Sequence, residues 1–310
     1  MQFWALIKDS FRESRDRKIY WVMLIMSVII ALGMACFSFE PGKVNILFGM
    51  WEIKTNHFTA MGNLRQDLIA SIVVDGIMDT VLGGIGVLLS IVATASFFPT
   101  FLERGAVDVV LSKPIPRWKL FLFRYLGGMV FIGLQATIFV VLTFLVAGIR
   151  WGAWIPGYLL SIPLVILLFS YLYCISALVA VFTRSTVSAV MLTMLAWTGI
   201  AGVQSLDDAF TVTFPEWQNN RQAYVAVHCT RWILPKTQDI TYFAKKWSKA
   251  ANEMLFVHVD SPEDEQLIRK VEESETARLK VGPWKSIGSS LLFEAMIVVL
   301  AMLKFNRTDY

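Results

Sequence analysis

Six long apolar runs constrain this chain more than any other feature of its sequence. A run of about 20 apolar residues is long enough to cross the hydrocarbon core of a bilayer as one helix. The six runs cover residues 20–37, 81–101, 120–147, 154–182, 187–203 and 287–303. They explain why 56% of the 310 residues are hydrophobic and only 17% charged, whereas a soluble domain carries about 25% charge. The sequence therefore predicts an all-α polytopic membrane protein with six transmembrane helices, the fourth kinked at Pro163.

Lys and Arg in the short loops between these runs predict the orientation of the chain, because cytoplasmic loops carry an excess of both. Thirteen of them lie before the first run, between the second and third, between the fourth and fifth, or after the sixth, with Arg124 at the start of the third run counted with the loop before it. Only four lie in the short loops on the opposite face. Both termini are therefore expected in the cytoplasm. The charged stretch before the first run is too long for a signal peptide, so this run is interpreted as a retained anchor.

Four regions follow from this topology. Residues 1–18 place aromatic and aliphatic residues on one side and basic residues on the other, which is typical of an amphipathic helix in the headgroup plane. This helix is either a simple anchor or a cytoplasmic elbow helix that helps to contact a partner. Residues 19–204 hold spans one to five and include a cytoplasmic loop at 102–119. Residues 205–286 form an external segment, and residues 287–310 form span six and a cytoplasmic tail.

The regions predicted to be external carry their own local signals. Residues 44–54 favour a short strand pair with Gly49 near the turn, and residues 68–78 favour a helix leading into span two. Between spans five and six, residues 217–232 and 236–255 each suggest a helix, and Ser261 has the features of a further helix start. The helix at 236–255 carries an apolar stripe, which we interpret as packing rather than a ligand groove. The stripe consists of Ile240, Phe243, Trp247, Ala251 and Met254.

The sequence signatures of enzymes and metal sites are absent. The only Gly-Lys pair, Gly42-Lys43, lacks the glycine spacing of a phosphate-binding P-loop. The three histidines and three cysteines form neither an i, i+4 histidine pair nor a zinc spacing. A net charge of +4 is too small to indicate a nucleic acid partner. We therefore expect no catalytic residue, no metal ligand and no cofactor bound by this chain.

Glu294 is the one carboxylate expected near the middle of a span. A charged side chain there costs a few kcal/mol on insertion scales, so it should face protein or water and have a partner. One interpretation is structural, with a hydrogen bond to a Ser or Thr on another span or a neutral, protonated acid. The other is functional, with Glu294 lining a central pathway.

The cytoplasmic loop between spans two and three combines a short apolar face with bracketing prolines. Gly105 loosens the end of span two, and residues 106–112 can form one or two helical turns that end at Pro114. Val107, Val110 and Leu111 would lie on one side of these turns. Such a short amphipathic helix, held just beneath the bilayer, offers a binding surface to another protein.

This loop resembles the cytoplasmic coupling region of the ABC-2 type permeases, which are bacterial membrane subunits of ATP-binding cassette exporters. Their pattern is Glu-Arg-Gly-x-x-x-x-x-Leu-Ser-x-Pro-x-x-Arg. It consists here of Glu103, Arg104, Gly105, Leu111, Ser112, Lys113, Pro114 and Arg117. Two weaker similarities are Leu234-Pro-Lys-Thr-x-Asp239 and the tail Phe305-Asn-Arg-Thr-Asp-Tyr310, the latter similar to the branch of the copper-enzyme-maturation permeases. With the six spans, the resemblance covers nearly the whole chain, and the enlarged segment 205–286 departs from it.

The resemblance implies the function and the partners of this chain. It implies a permease subunit of an exporter in the bacterial cytoplasmic membrane, with two permease chains and two cytoplasmic ATPase chains that bind ATP and Mg²⁺. It implies that the ATPase-coupling residues extend to Val107, Asp108 and Val110. Membrane lipid and an external accessory protein are further expected partners. The candidate cargoes are a lipid, a peptide or a sulfur species, and the alternative output is mechanical action on an external partner.

A different class of function also fits the sequence. A non-transporting membrane scaffold or sensor would use the segment 205–286 to bind a ligand or a partner protein. A channel is disfavoured, because the spans lack polar or charged stripes.

Overall fold

The computed structural model describes residues 18–40, 43–46, 50–54, 76–77, 83–102, 116–151, 154–210, 221–256 and 282–307. In this part of the chain, six helical segments are long and apolar enough to cross a membrane. They are Lys18–Cys36, Gly83–Phe101, Arg117–Trp151, Pro156–Thr183, Thr186–Asp208 and Pro283–Arg307, here called spans one to six. The prediction of an all-α polytopic membrane protein with six spans is therefore confirmed.

The helices follow the chain in a simple order. Span one is α1 (Lys18–Cys36), and span two contains α2 (Val87–Ala95) and α3 (Phe97–Phe101). Spans three, four and five contain α4 (Arg117–Trp151), α5 (Ser161–Thr183) and α6 (Thr186–Asp208). Next come α7 (Arg221–Ile233) and α8 (Thr237–Phe256), and span six is α9 (Pro283–Arg307). The two helices predicted at 217–232 and 236–255 are confirmed as α7 and α8, whereas residues 1–17, most of 68–78 and the helix start at Ser261 lie outside the described residues.

A small antiparallel sheet follows α1. Its strands are β1 (Phe37–Glu40), β2 (Lys43–Ile46) and β3 (Trp51–Lys54), in the order β1-β2-β3. In the register, Ile46 is the partner of both Phe37 and Trp51. The strand pair predicted within 44–54 is confirmed as β2 and β3, and β1 adds a third strand, while Gly49 lies outside the described residues.

Span four changes helix type before Pro163, not at it. The span begins as a 3-10 helix, Pro156–Leu160, and becomes α-helical at Ser161. Pro163 therefore lies in the first turn of α5, where backbone N–H groups have no partner within an α-helix. The kink predicted at Pro163 stays a prediction.

The contacts divide the chain into two compact units. One contains residues 1–93, 126–166 and 244–252, and the other contains 94–125, 167–243 and 253–310. In the first unit, the end of α4 holds the start of the sheet: Arg150 Nε donates to the Ala35 carbonyl at 3.0 Å, and Trp151 Nε1 donates to the Phe37 carbonyl at 2.9 Å. Gly148 allows the ring of Trp154 to pack closely against α4, because a Cβ atom at this position would lie 2.6 Å from that ring.

The second unit has an aromatic core. Phe121, Phe169, Tyr171 and Tyr173 are completely buried. They come from the start of α4 and from α5, while α9 contributes Phe305, which is 1% exposed. The core brings the beginning of span three and the middle of span four together with span six, and Glu294, a half-buried carboxylate near the middle of span six, contacts the same two spans.

Candidate functional site

Glu294 lies near the middle of α9 and accepts hydrogen bonds from two other spans. The hydroxyl of Tyr125 on α4 lies 2.8 Å from Oε1, and the hydroxyl of Ser170 on α5 lies 2.9 Å from Oε2. One of the structural partners predicted from the sequence, a Ser on another span, is therefore present. The phenol of Tyr125 is an addition that the sequence did not indicate. The role of Glu294 in a pathway stays a prediction.

The surroundings of Glu294 can satisfy either protonation state. Ser170 Oγ also lies 2.8 Å from the Leu167 carbonyl, and Tyr125 Oη lies 3.3 Å from the Ser170 carbonyl. Each hydroxyl has one proton to donate and can also accept. When Glu294 is ionised, both hydroxyls donate to it. When it is neutral, its own O–H donates to one hydroxyl, which turns to its backbone carbonyl.

Aromatic packing fixes the phenol of Tyr125 in this position. Its ring stacks on Phe121 at a centroid distance of 6.5 Å and on Tyr173 at 5.0 Å. Tyr173 in turn stacks on Phe169 at 5.0 Å. Close-packed interiors leave few alternative rotamers. The hydrogen bond to Glu294 is thus made by a side chain that is held in place before the bond forms.

A second polar cluster joins α7 to the ends of three other helices. We call it the polar junction, and it consists of Asp207, Asp208, Arg231, Asp239 and Ser286. Arg231 Nη1 binds Asp207 and lies 3.1 Å from Asp208 Oδ1, both near the end of α6. Its Nη2 lies 3.2 Å from Asp239 Oδ1 in the first turn of α8, and Ser286 Oγ on α9 donates to Asp239 Oδ2 at 2.6 Å. The guanidinium of Arg231 therefore links span five to the start of α8, and Asp239 extends the link to span six through Ser286.

The charges of the polar junction are well removed from water. The side chains of Asp207 and Asp239 are 2% and 6% exposed, and that of Arg231 is 12% exposed. Burial by itself lowers the pKa of Arg231, but the hydrogen bond to Asp207 and the carboxylates of Asp239 and Asp208 outweigh it and raise the pKa above its ordinary value. The guanidinium thus stays charged and compensates the buried carboxylates, which is the condition under which such ions are tolerated.

The turn between α7 and α8 is held by side chains of spans five and six. Lys236 is 1% exposed, its Nζ donates to Ser289 Oγ at 2.6 Å, and its backbone N–H donates to Ser290 Oγ at 3.0 Å. Burial lowers the pKa of Lys236, which the charge of Asp239 partly opposes. Gln204 accepts from the N–H of Gln238 at 3.0 Å and so satisfies one of the free donors at the start of α8.

Comparison with known protein families matches nearly the whole chain. The family described as ABC-2 family transporter protein matches residues 4–310. The chain belongs to the ABC-2 family. The resemblance based on the loop after span two is therefore confirmed at the level of the family, while the narrower similarity to the copper-enzyme-maturation branch stays a prediction. No curated protein matches the chain.

Most of the predicted coupling residues of this ABC-2 protein lie outside the described residues. These are Glu103, Arg104, Gly105, Val107, Asp108, Val110, Leu111, Ser112, Lys113 and Pro114. Arg117 is the first residue of α4 and is half-buried, next to the exposed Trp118 and to Lys119, whose Nζ lies 5.4 Å from the centre of the Trp118 ring. The coupling role of this loop stays a prediction.

Sequence reasoning on this ABC-2 chain missed the polar junction. Span five was predicted to end at Val203, so Asp207 and Asp208 were assigned to the segment beyond it. No sequence pattern pointed to Arg231 as a functional or structural residue. The similarity of Leu234-Pro-Lys-Thr-x-Asp239 to the family was the available clue, since Lys236 and Asp239 both lie in or beside the junction. Among the described residues, no group of three His, Cys, Asp or Glu side chains could hold a metal ion.

Proposed function

We propose that this chain is the permease subunit of an ABC-2 type exporter, which forms the translocation path and is driven by a separate cytoplasmic ATPase. The observation that carries the proposal is the family match over residues 4–310 together with six spans. The absence of a P-loop from the whole sequence agrees with a division of labour in which ATP and Mg²⁺ bind to the partner. This chain is then not an enzyme by itself.

The proposed assembly contains two copies of this chain and two ATPase subunits. Within an apolar stretch of 18 residues in each span, 17% of the residues are buried in spans five and six, against 67% in span four. Their exposed faces are available to lipid and to a second copy. We place the assembly in the bacterial cytoplasmic membrane with both termini in the cytoplasm, where residues 102–119 (the coupling loop) would meet the ATPase.

The rival function is a scaffold or sensor that does not transport. Co-purification separates the two: when only this chain is tagged, a permease should recover a P-loop ATPase, identified by its peptides. A scaffold should recover an external partner and no ATPase. A screen of ATP turnover by the reconstituted complex against lipids, peptides and sulfur compounds then addresses the cargo.

The topology gives a prediction that can be tested by accessibility. Ser261→Cys, in the long segment between spans five and six, should be labelled by a membrane-impermeant thiol reagent only from outside the cell, because the short loops place thirteen Lys and Arg on the other face. Both variants are made with Cys36, Cys174 and Cys229 replaced by Ser, because Cys229 is exposed in the same segment as Ser261. Asp309→Cys in the C-terminal tail is the control and should be labelled only after the membrane is opened. Labelling of Ser261→Cys from the cytoplasmic side alone would overturn the topology.

Glu294 gives a second prediction. Glu294→Gln should fold and insert, because its amide can donate to one hydroxyl while that hydroxyl turns to its backbone carbonyl. ATP turnover by the complex should nevertheless fall about tenfold, which corresponds to about 1.4 kcal/mol, if the charge serves the transport cycle. Ser170→Ala removes one hydrogen bond and keeps the charge, so its turnover should stay closer to that of the parent. Unchanged turnover in Glu294→Gln would mean that this residue is structural only.

A further inference from the structure

Span two is interrupted immediately before the coupling loop. Helix α2 ends at Ala95 and α3 begins at Phe97, with a turn at Ser96 between them. Pro99 explains the interruption, because it has no N–H to donate to the Ala95 carbonyl and its ring would clash with that carbonyl in a continuous helix. Ser96 keeps helical dihedral angles (φ −78°, ψ −10°), so α3 is a short element that continues the span without this hydrogen bond, and contacts from another helix can fix its position.

Arg124 on α4 supplies those contacts. Its Nε donates to the Phe97 carbonyl at 3.1 Å. Its guanidinium carbon lies 5.4 Å from the centre of the Phe97 ring and 5.7 Å from that of Phe101, within the range of cation–π attraction. A single side chain thus holds both ends of α3. The sequence assigned Arg124 only to the positive charge of a loop, whereas it lies inside the helix of span three.

A line of rings, half-buried at Phe101 and buried beyond it, leads from α3 to Glu294. Phe101 stacks on Phe305 at 6.1 Å, Phe305 contacts Phe121 at 6.0 Å, and Phe121 stacks on Tyr125 at 6.5 Å. Tyr125 then donates to Glu294 at 2.8 Å. We call Phe101, Phe305, Phe121 and Tyr125 the aromatic column. Rings packed this closely move together or repack, and do not deform gradually.

We propose that Arg124 is a positioning residue that fixes α3 at the root of the coupling loop and, through the aromatic column, links that position to the hydrogen bonding of Glu294. The inference rests on the proposed function, in which the ATPase acts on the coupling loop. It assigns to Arg124 a role in transmission: the residue touches neither cargo nor nucleotide, and its effect passes through Phe97 and Phe101.

A double-mutant cycle with two readouts tests this proposal. The variants are Arg124→Gln, Arg124→Lys, Glu294→Gln and the double variant Arg124→Gln/Glu294→Gln, with Lys304→Gln as control. The control removes a cation that lies 5.2 Å from the ring of Phe182, outside the column. The first readout is hydrogen exchange of the backbone amides of residues 97–102 in the chain alone. The second readout is ATP turnover by the complex with the recovered ATPase, compared at equal amounts of ATPase for every variant.

The expected result is faster exchange at residues 97–102 in both Arg124→Gln and Glu294→Gln, a smaller change in Arg124→Lys and none in the control. Arg124→Gln should lower turnover about tenfold, the effect of one charge-assisted hydrogen bond, with ATPase recovery unchanged. ATP turnover by the double variant should be no lower than that of the less active single variant, because both changes disrupt the same link between α3 and Glu294.

Two results would overturn the link. In the first, Glu294→Gln leaves exchange at residues 97–102 as in the parent. In the second, the effects on turnover multiply to about a hundredfold in the double variant, as for independent sites. Failure of the parent chain to recover any ATPase would instead refute the proposed function, while the exchange measurement on the chain alone would still decide the link between α3 and Glu294.

Discussion

Arg231→Gln is expected to lower the free energy of unfolding of the chain by about 3–5 kcal/mol, because it leaves buried carboxylates without their shared cation. Asp207 and Asp239 are both nearly inaccessible to water and both bind this guanidinium. The amide of Gln is too short to reach three acids and brings no charge. The measurement is the unfolding midpoint in detergent, followed by tryptophan fluorescence, together with the yield of monodisperse protein.

Two variants calibrate this effect. Arg231→Lys keeps the positive charge but can make fewer hydrogen bonds. Its unfolding midpoint should therefore lie between those of Arg231→Gln and the parent. Asp208→Asn removes the most exposed of the three acids, 25% exposed, and should cost no more than about 1 kcal/mol, as for an exposed ion pair. A midpoint for Arg231→Gln equal to that of the parent would show that the polar junction does not stabilise the fold.

Glu103→Lys is expected to weaken the recovery of the partner ATPase by about ten- to a hundredfold without affecting membrane insertion. Glu103 and Arg104 can form charge-assisted hydrogen bonds with the partner, worth roughly 1.5–3 kcal/mol when desolvated, and 1.4 kcal/mol corresponds to about one decade. Val107, Val110 and Leu111 form an apolar face too small to bury itself, so the partner should cover it as well. The measurement is a quantitative pull-down of the ATPase on the tagged chain.

The comparison variants for this pull-down are Arg117→Gln and Glu52→Lys. Arg117 is either a partner contact or a headgroup anchor at the start of α4, so its effect should be smaller than that of Glu103→Lys. Glu52→Lys makes the same charge reversal on β3, in a loop predicted to be external, and should leave recovery unchanged. Equal recovery by the parent, Glu103→Lys and Arg117→Gln would mean that residues 102–119 are not the docking surface.

The spans were predictable because the bilayer imposes a simple condition. About 20 apolar residues are needed to cross it, and the pattern in sequence alone identified all six helices. Local chemistry was predictable as well: the pairing of β2 with β3 and the positions of α7 and α8 followed from short-range patterns. These features depend on residues close together in the chain.

The partners of Arg231 and of Glu294 were not predictable in the same way. Arg231 binds Asp207 and Asp208, on another helix and 24 and 23 residues away in sequence, and Tyr125 binds Glu294 across 169 residues. The sequence could state that Glu294 needs a partner, since an uncompensated polar group in a span is costly. It could not state which helices pack together, so only the structure identified Tyr125.

The measurement that tests the central claim most directly is ATP hydrolysis by the complex isolated through a tag on this chain alone and reconstituted into liposomes. The account predicts that a P-loop ATPase co-purifies, that the complex hydrolyses ATP, and that hydrolysis differs from that of the isolated ATPase and falls in Glu294→Gln. Purification of this chain without any ATPase, or a complex whose hydrolysis is the same as that of the free ATPase in the parent and in Glu294→Gln, would contradict it.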